Sequence, residues 1–576
     1  MLIPTPRRPP PSPAGGGAPP TRLARALSAL PALRLSVEGL LLLTCAWFAL
    51  GSNRMFVQAA LKGRDFGDAS AWGFGLALLL GVLALHLLLL APLASRWTVK
   101  PLVALLVVGT AFASYYMQQY GVYLDPSMLR NVMRTDWREA GELLGPSLAV
   151  HLLLHAGLPL LVLWRVEVVT RPWKRALLMR LGLVALALAV LVAALLSVFQ
   201  PLASLMRNHK EVRYLITPAN YLWSIASVAR ADAKAGKAPR QPIGLDARPG
   251  ASWATRTRPQ LVVLVVGETA RSANWGLSGY ARQTTPQLAQ LATQTPLVNF
   301  VHATACGTNT EVSVPCLFAP VGRRDYDEAT IRGSESLLHL LSRAGVGVTW
   351  RDNQSGCKGV CEGLPMQTVQ DLNPPGLCAE GRCLDEGLLH GLPEMLGQVR
   401  GTQLLVLHQL GNHGPSYFRR YPPAFARFQP ECRSDDLRVC SQQEIVNAYD
   451  NALLYTDHLL AQLVSQLQAH ADMLDSALIY VSDHGESLGE NNLFLHGLPY
   501  AIAPDVQKQV PMLMWFSPGF AAAQRLDLGC LRARAAQPAA HDHVFHTLLG
   551  LLDVSTALYA PDWDLGRPCR SGGPAS

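Results

Sequence analysis

Asp483, His484 and Glu486 stand together in SDHGE, directly after the apolar run 477–481, which reads as a buried strand. Carboxylate and imidazole donors at the end of such a strand suit a metal ion, because in open α/β sheets ligands bind beyond the carboxyl ends of parallel strands. Two more runs end the same way. LVVLVV at 261–266 leads into Gly267-Glu268, and LLVL at 404–407 leads into His408, with Asn412-His413-Gly414 just beyond. Three strands can therefore deliver acid and imidazole to one edge of one sheet. A fourth stretch, CGTNTEVSVPC at 306–316, places hydroxyls between two cysteines, as expected of a stapled loop that opens a helix. A bound metal can activate such a hydroxyl, and Glu268, Asp483 and His484 are the oxygen and nitrogen ligands of a zinc site that one threonine oxygen would complete as a tetrahedron. Residue chemistry alone leaves Thr308, Thr310 and Ser313 as equal candidates, and the loop by itself also fits a braced turn whose hydroxyls cap a helix.

The elements that position these groups lie in two unlike halves. With 576 residues several domains are expected, and a hydrophobic content of 49% is concentrated in the first 200 positions. Five membrane-length apolar stretches are predicted at 37–50, 72–93, 102–116, 148–164 and 177–199, the first and third being short for a span of roughly 20 residues. Arg96, Lys100, Arg165, Arg171, Lys174 and Arg175 follow the second and fourth stretches, which puts that side in the cytoplasm and the chain after Phe199 on the opposite face. Ten of the 11 cysteines lie beyond residue 300, which independently places that half in an oxidising compartment. Sequence order suggests pairing of Cys306 with Cys316, Cys357 with Cys361, Cys378 with Cys383 and Cys432 with Cys440. The expected organisation is a disordered cytoplasmic tail at 1–34, an α-helical membrane domain with five transmembrane helices at 35–200, a bridging helix and linker at 201–258, and an α/β catalytic domain at 259–576. Alternation of strand-like and helical runs after residue 260 predicts a largely parallel sheet.

A net charge of +8 without a basic stripe excludes nucleic acid as the partner. In the loop after the third span, Asn131, Thr135 and Glu139 are spaced i, i+4, i+8 and would form one polar stripe on a helix, which by spacing alone fits a solvated face. His151 and His155 in the fourth span fit interfacial or packed histidines, and Trp275 and Tyr280 fit packing residues.

The blocks GETARSANWGLSGY (267–280), ACGTNTEVSVPC (305–316), DNQSGCKGVC (352–361), HQLGNHGPSYFRRYP (408–422) and SDHGESLGENNLFLHG (482–497) resemble the signatures of the phosphoethanolamine transferases, which include the lipid A transferases and the mobile colistin-resistance enzymes. The resemblance covers nearly the whole chain and implies a catalytic domain of the alkaline phosphatase/sulfatase type. It implies Thr310 as the nucleophile that carries phosphoethanolamine, and Glu268, Thr310, Asp483 and His484 as ligands of one zinc ion. His413 and His496 match histidines that hold the substrate phosphate or a second zinc, one of them being suited to protonate the leaving group. Ser355 and Lys358 match donor-binding residues, and Asn131, Thr135 and Glu139 match the set that reaches the donor headgroup from the membrane domain. His408 reads as a structural neighbour. The carboxylate of Glu311 departs from the small or neutral residues expected beside the nucleophile.

The function implied is transfer of phosphoethanolamine from phosphatidylethanolamine to a lipid A phosphate by a monomeric enzyme at the outer face of the bacterial inner membrane, through a covalent threonine intermediate and with release of diacylglycerol. That modification lowers the acceptor's negative charge and its attraction for cationic peptides such as colistin. Transfer to a lipopolysaccharide core sugar, or a phosphoglycerol transferase of the same superfamily, is the alternative. A sulfatase is disfavoured because no C-x-P-x-R or S-x-P-x-R motif occupies the nucleophile loop. A non-catalytic lipopolysaccharide-binding protein would tolerate loss of Thr310.

Overall fold

The structure is a computed structural model that describes residues 33–135, 137–235, 239–379 and 381–571. Leu33 and Arg34, expected in the tail, instead form a short parallel strand pair with Val166–Val168. The amino-terminal half is helical: α1 (Val37–Trp47), α2 (Ala69–Leu90), α3 (Val99–Tyr120), α4 (Pro126–Arg134), α5 (Trp137–Glu142), α6 (Pro146–Arg165), α7 (Trp173–Ser197) and α8 (Ala219–Ala235). Four of these (α2, α3, α6 and α7) are long and apolar enough to cross a membrane. The fifth span is α1, which continues through Phe48–Ser52 and bends by 56° into Arg54–Leu61. That bend explains why the first apolar run looked short. Buried Asn53 stabilises the break, donating to the carbonyls of Phe48 at 2.8 Å and Thr217 at 2.7 Å, so backbone groups freed at the bend stay paired. The third span runs 22 residues, its polar tail Ser114–Tyr120 remaining helical. Leu178, Leu181, Leu186 and Leu196 on α7 are exposed, an apolar surface suited to hydrocarbon.

The basic residues that set orientation meet at one end of the bundle. Lys100 donates to the Val166 carbonyl at 2.9 Å, Arg180 donates to the Ala91 carbonyl at 2.9 Å, and Arg171 and Arg180 each lie 3.4 Å from Glu38. At the other end, Arg438 donates to the Gln118 carbonyl at 2.8 Å, so the carboxyl-terminal half docks on the opposite side.

The predicted stripe is not continuous. Thr135 leaves the helix with φ −63° and ψ 133°, and its hydroxyl donates to the Asn131 carbonyl at 2.8 Å, closing α4. Asn131 therefore sits on α4, Thr135 in the break and Glu139 on α5. A threonine hydroxyl that satisfies a terminal carbonyl ends the helix that the spacing would have continued.

The carboxyl-terminal half is built on eight strands: β1 (Gln260–Gly267), β2 (Leu297–Thr304), β3 (Gly347–Asp352), β4 (Met366–Thr368), β5 (Thr402–His408), β6 (Asp475–Ser482), β7 (Gln509–Phe516) and β8 (Ala539–Ala540), in the order β8-β2-β7-β6-β1-β5-β3-β4. Only β7 runs against the rest, so the sheet is largely parallel as predicted. Along β1, Val262, Leu264 and Val266 face one core while Leu261, Val263 and Val265 face the other, the two-sided burial of a parallel sheet. The flanking helices include α9 (Thr310–Leu317), α10 (Leu337–Arg343), α11 (Gln442–Ala469) and α12 (Asp542–Leu552). Register aligns Gly267 with Ser482, and His408 with both Val266 and Asp352, so four strands end at one rim. The four expected disulfides form, and Cys530–Cys569 adds a fifth.

Candidate active site

Glu268 leaves β1 and Asp483-His484 leaves β6 at adjacent positions of the rim, and all three side chains are fully buried. Thr310 opens α9, whose cap Asn309 accepts from the Val312 amide at 3.0 Å. The Thr310 hydroxyl donates to Glu268 Oε2 at 3.1 Å and lies 3.4 Å from His484 Nε2. His484 Nε2 lies 3.3 Å from both Glu268 Oε1 and Asp483 Oδ2. Four donors around one tetrahedral ion with bonds of about 2.1 Å would be about 3.4 Å apart, close to these separations. Two further observations fit a cation. Asp483 Oδ2 is buried with no hydrogen-bond partner, and His484 donates Nδ1–H to the Gly485 carbonyl at 2.9 Å, leaving the Nε2 lone pair directed inward.

The electrostatics point the same way. Burial would raise the Glu268 pKa, but hydrogen bonding and positive charge from His484 hold it well below the usual carboxylate range. Burial and the charge of Glu268 push Asp483 up to about 7. Burial favours neutral His484, yet the two carboxylates raise it to about 9. Two buried carboxylates beside His484 favour positive charge at this point, which is the charge a metal ion would supply.

Hydrogen bonding separates the three hydroxyls of the stapled loop. Thr308 donates to the Leu498 carbonyl at 2.6 Å, and Ser313 accepts from the Gly307 amide at 2.9 Å, so each braces the loop. Thr310 alone of the three meets the acidic cluster.

The His496 ring lies tilted by 43° against His484 with centroids 4.3 Å apart, and the His413 ring meets the His496 ring edge-on at 5.3 Å. Glu486, expected among the metal-capable groups, instead accepts His496 Nδ1–H at 2.7 Å and the Tyr417 hydroxyl at 2.7 Å. Burial lowers the His496 pKa against the opposing charge of Glu486. The loop bearing Ser355 and Lys358 reaches the cluster through Gln354, whose Nε2 donates to Glu268 Oε2 at 3.3 Å. Lys358 donates to Ser355 Oγ at 2.5 Å and lies 3.6 Å from Glu311. Glu311 is itself buried among cations, 3.2 Å from both Arg134 and Arg332. Asn131 and Thr135 are half-buried on the segment whose Arg134 makes that contact, and the side chain of Glu139 lies outside the described residues.

Sequence reasoning missed Gln354 and His541. His541 accepts from the Cys306 amide at 3.2 Å and donates Nε2–H to the Ser482 carbonyl at 2.9 Å, tying the stapled loop to the end of β6, just before Asp483. No local motif marks it, because its partners are far away in the chain. His408 pairs with Asp352 at 2.8 Å, the neighbour role expected of it. Trp275 stacks on Tyr480 and Tyr280 bonds Asp450, both within the packing. His151 and His155 stack on each other inside the helical half, away from this rim.

A family model described as Sulfatase matches residues 260–554, and one described as Phosphoethanolamine transferase EptA/EptB matches residues 82–233. Phosphoethanolamine transferase EptA of Salmonella typhimurium is 39% identical over 481 residues, covering 82% of this chain and 86% of that protein. Phosphatidylethanolamine transferase Mcr-1 of Escherichia coli is 38% identical, covering 84% of this chain and 89% of that protein. The solved structure of the integral membrane lipooligosaccharide phosphoethanolamine transferase A from Neisseria meningitidis superposes with a TM-score of 0.88 at 37% identity, covering 93% of this chain and 99% of that one.

Proposed function

Because the chain belongs to the phosphoethanolamine transferase family, we propose that it transfers phosphoethanolamine from phosphatidylethanolamine to a lipid A phosphate, using Thr310 as the nucleophile. The observation that carries this reading is the Thr310 hydroxyl at 3.1 Å from Glu268 and 3.4 Å from His484, at the amino end of a stapled helix. The names of the relatives support a phosphatidylethanolamine donor and a lipooligosaccharide acceptor. The chain is a multi-pass inner-membrane protein whose catalytic domain lies in the periplasm, in keeping with the bundle's basic end and the five disulfides on the other side. We take residues 259–576 as that catalytic domain and 35–200 as the membrane domain.

Glu268, Thr310, Asp483 and His484 would hold zinc, which supplies a Lewis acid that lowers the pKa of the neighbouring hydroxyl and offsets phosphoryl charge. Glu268 Oε2 holds the Thr310 proton as Oγ1 attacks phosphorus. The bond to diacylglycerol breaks, and phosphoethanolamine remains esterified to Thr310. His496 is set to exchange a proton with the leaving and entering oxygens at Nε2, since its Nδ1–H is directed to Glu486, which stabilises the imidazolium. His413 and Lys358 provide donors and positive charge for the phosphoryl oxygens. An acceptor phosphate oxygen then attacks the same phosphorus and releases Thr310. Asn131, Thr135 and Glu139 hold the donor headgroup from the membrane side.

Mass spectrometry of lipid A from cells with and without this chain tests the reading. Added phosphoethanolamine is expected with the wild type and not with Thr310→Ala. Unmodified lipid A beside a modified core oligosaccharide would move the acceptor to a core sugar, and glycerol phosphate on a glycan would replace the reading altogether.

A further inference from the structure

We infer that two ionic clamps, each anchored on a buried charge and one at each end of the membrane-domain segment 126–142, hold that segment in register over the nucleophile, with Arg134 and Glu142 as positioning residues. The inference rests on the transferase reading and on its placement of Asn131 and Thr135 at the donor. At the first clamp Arg130, 4% exposed, pairs with Glu328 and with Asp232 of α8 at 3.4 Å. One turn later Arg134 meets Glu311 at 3.2 Å across 177 residues of sequence. Glu311 directly follows Thr310 and also lies 3.2 Å from Arg332. At the second clamp Glu142, 3% exposed, accepts from Arg420 at 2.6 Å and lies 3.3 Å from Arg382. Arg420 in turn donates Nε–H to the His413 carbonyl at 2.7 Å.

Each clamp therefore ends one step from a group assigned to the chemistry: the residue after Thr310 at one end, the backbone of His413 at the other. The segment between them cannot register itself, because α4 closes at Thr135 and no single helix spans Asn131 to Glu139. Buried charges suit the task. A register slip would leave Glu142 or Arg130 unpaired in a low dielectric, so the segment has one docked position rather than a range. The departure noted at Glu311 then has a role: a neutral residue there would remove the one carboxylate that Arg134, Arg332 and Lys358 share, leaving Arg134 to Asp232 at 3.7 Å and Arg332 to Glu328 at 3.1 Å.

The test uses the full-length protein in vesicles of phosphatidylethanolamine with lipid A, reading kcat/KM for transfer and the zinc bound per chain. Glu142→Gln and Arg134→Gln are each expected to lower kcat/KM on the order of tenfold or more, as misplacement of a substrate-positioning group does. Bound zinc is expected to stay at the wild-type level, because β1 and β6 hold its ligands, and Glu142→Asp is expected to recover most of the rate. Combined with Asn131→Ala, neither substitution is expected to add to the loss from Asn131→Ala alone, since both act through the same contact. Losses that multiply, loss of zinc together with rate, a harmless Glu142→Gln or a harmless Asn131→Ala would each overturn the clamps while wild-type turnover leaves the transferase reading standing. A wild-type protein that transfers nothing would overturn both.

Discussion

Thr310 presents its hydroxyl to Glu268 at 3.1 Å, while Thr308 and Ser313 use theirs to brace the loop at 2.6 and 2.9 Å. Thr310→Ala is therefore expected to lower transfer by about three orders of magnitude or more, with Thr310→Ser keeping part of the rate, in a direct transfer assay. Ser313→Ala removes only a brace to Gly307 and is expected to act on stability, about 1 kcal/mol, with little effect on rate. His541 gives a pH prediction. Burial lowers its pKa to about 4, so the folded state prefers the neutral ring. The unfolded ring titrates near its ordinary value of 6.5, and stability that is complete above that pH is lost as pH falls towards 4. About 3 kcal/mol is at stake from this group, and His541→Gln should flatten the acid limb of a Tm-against-pH curve.

At the scale of elements, the helix that Thr310 opens has only eight residues and is braced by its loop. The Cys306–Cys316 bridge closes a loop of ten residues' separation, and Cys306→Ser with Cys316→Ser is expected to cost about 2–3 kcal/mol, read as a lower Tm and faster proteolysis at the loop. The turn after β5 is tighter still. Gly411 has φ +53°, and a Cβ there would lie 2.6 Å from the Glu268 carbonyl oxygen. Gly411→Ala should push Glu268 off its position and weaken zinc binding, which metal titration of the purified protein would report.

At the scale of the whole molecule, Glu268 and Asp483 share a site buried from bulk solvent. Chelation of the full-length protein is expected to abolish transfer and lower Tm, and added zinc to restore both, since an ion that binds only the folded state stabilises it by mass action. Recovery of rate without zinc or another divalent ion would count against a metal centre. The membrane domain does more than anchor the site, because α3 and the segment 126–142 both contact the catalytic half directly. With the two lipid substrates proposed above, a rim that faces the helical bundle would meet both at the membrane surface.

The sequence by itself determined the division into helical and α/β halves, the side of the membrane each occupies, and the strand ends that carry Glu268, Asp483 and His484. Those features rest on local composition and period: apolar runs long enough to span, Lys and Arg beside them, and short apolar strands that stop at polar turns. The five blocks named the family for the same reason, being contiguous. Only tertiary structure decided the rest. It separated Thr310 from Thr308 and Ser313, moved Glu486 from the metal-capable set to His496, broke the stripe at Thr135, and brought His541 to Cys306 and Glu142 to Arg420. Each of those outcomes depends on which hydrogen-bond partner lies opposite a side chain once the chain has closed. Some partners are close in sequence, such as Asn131 for Thr135, but those of His541 and Glu142 lie 235 and 278 positions away, where no local pattern reaches.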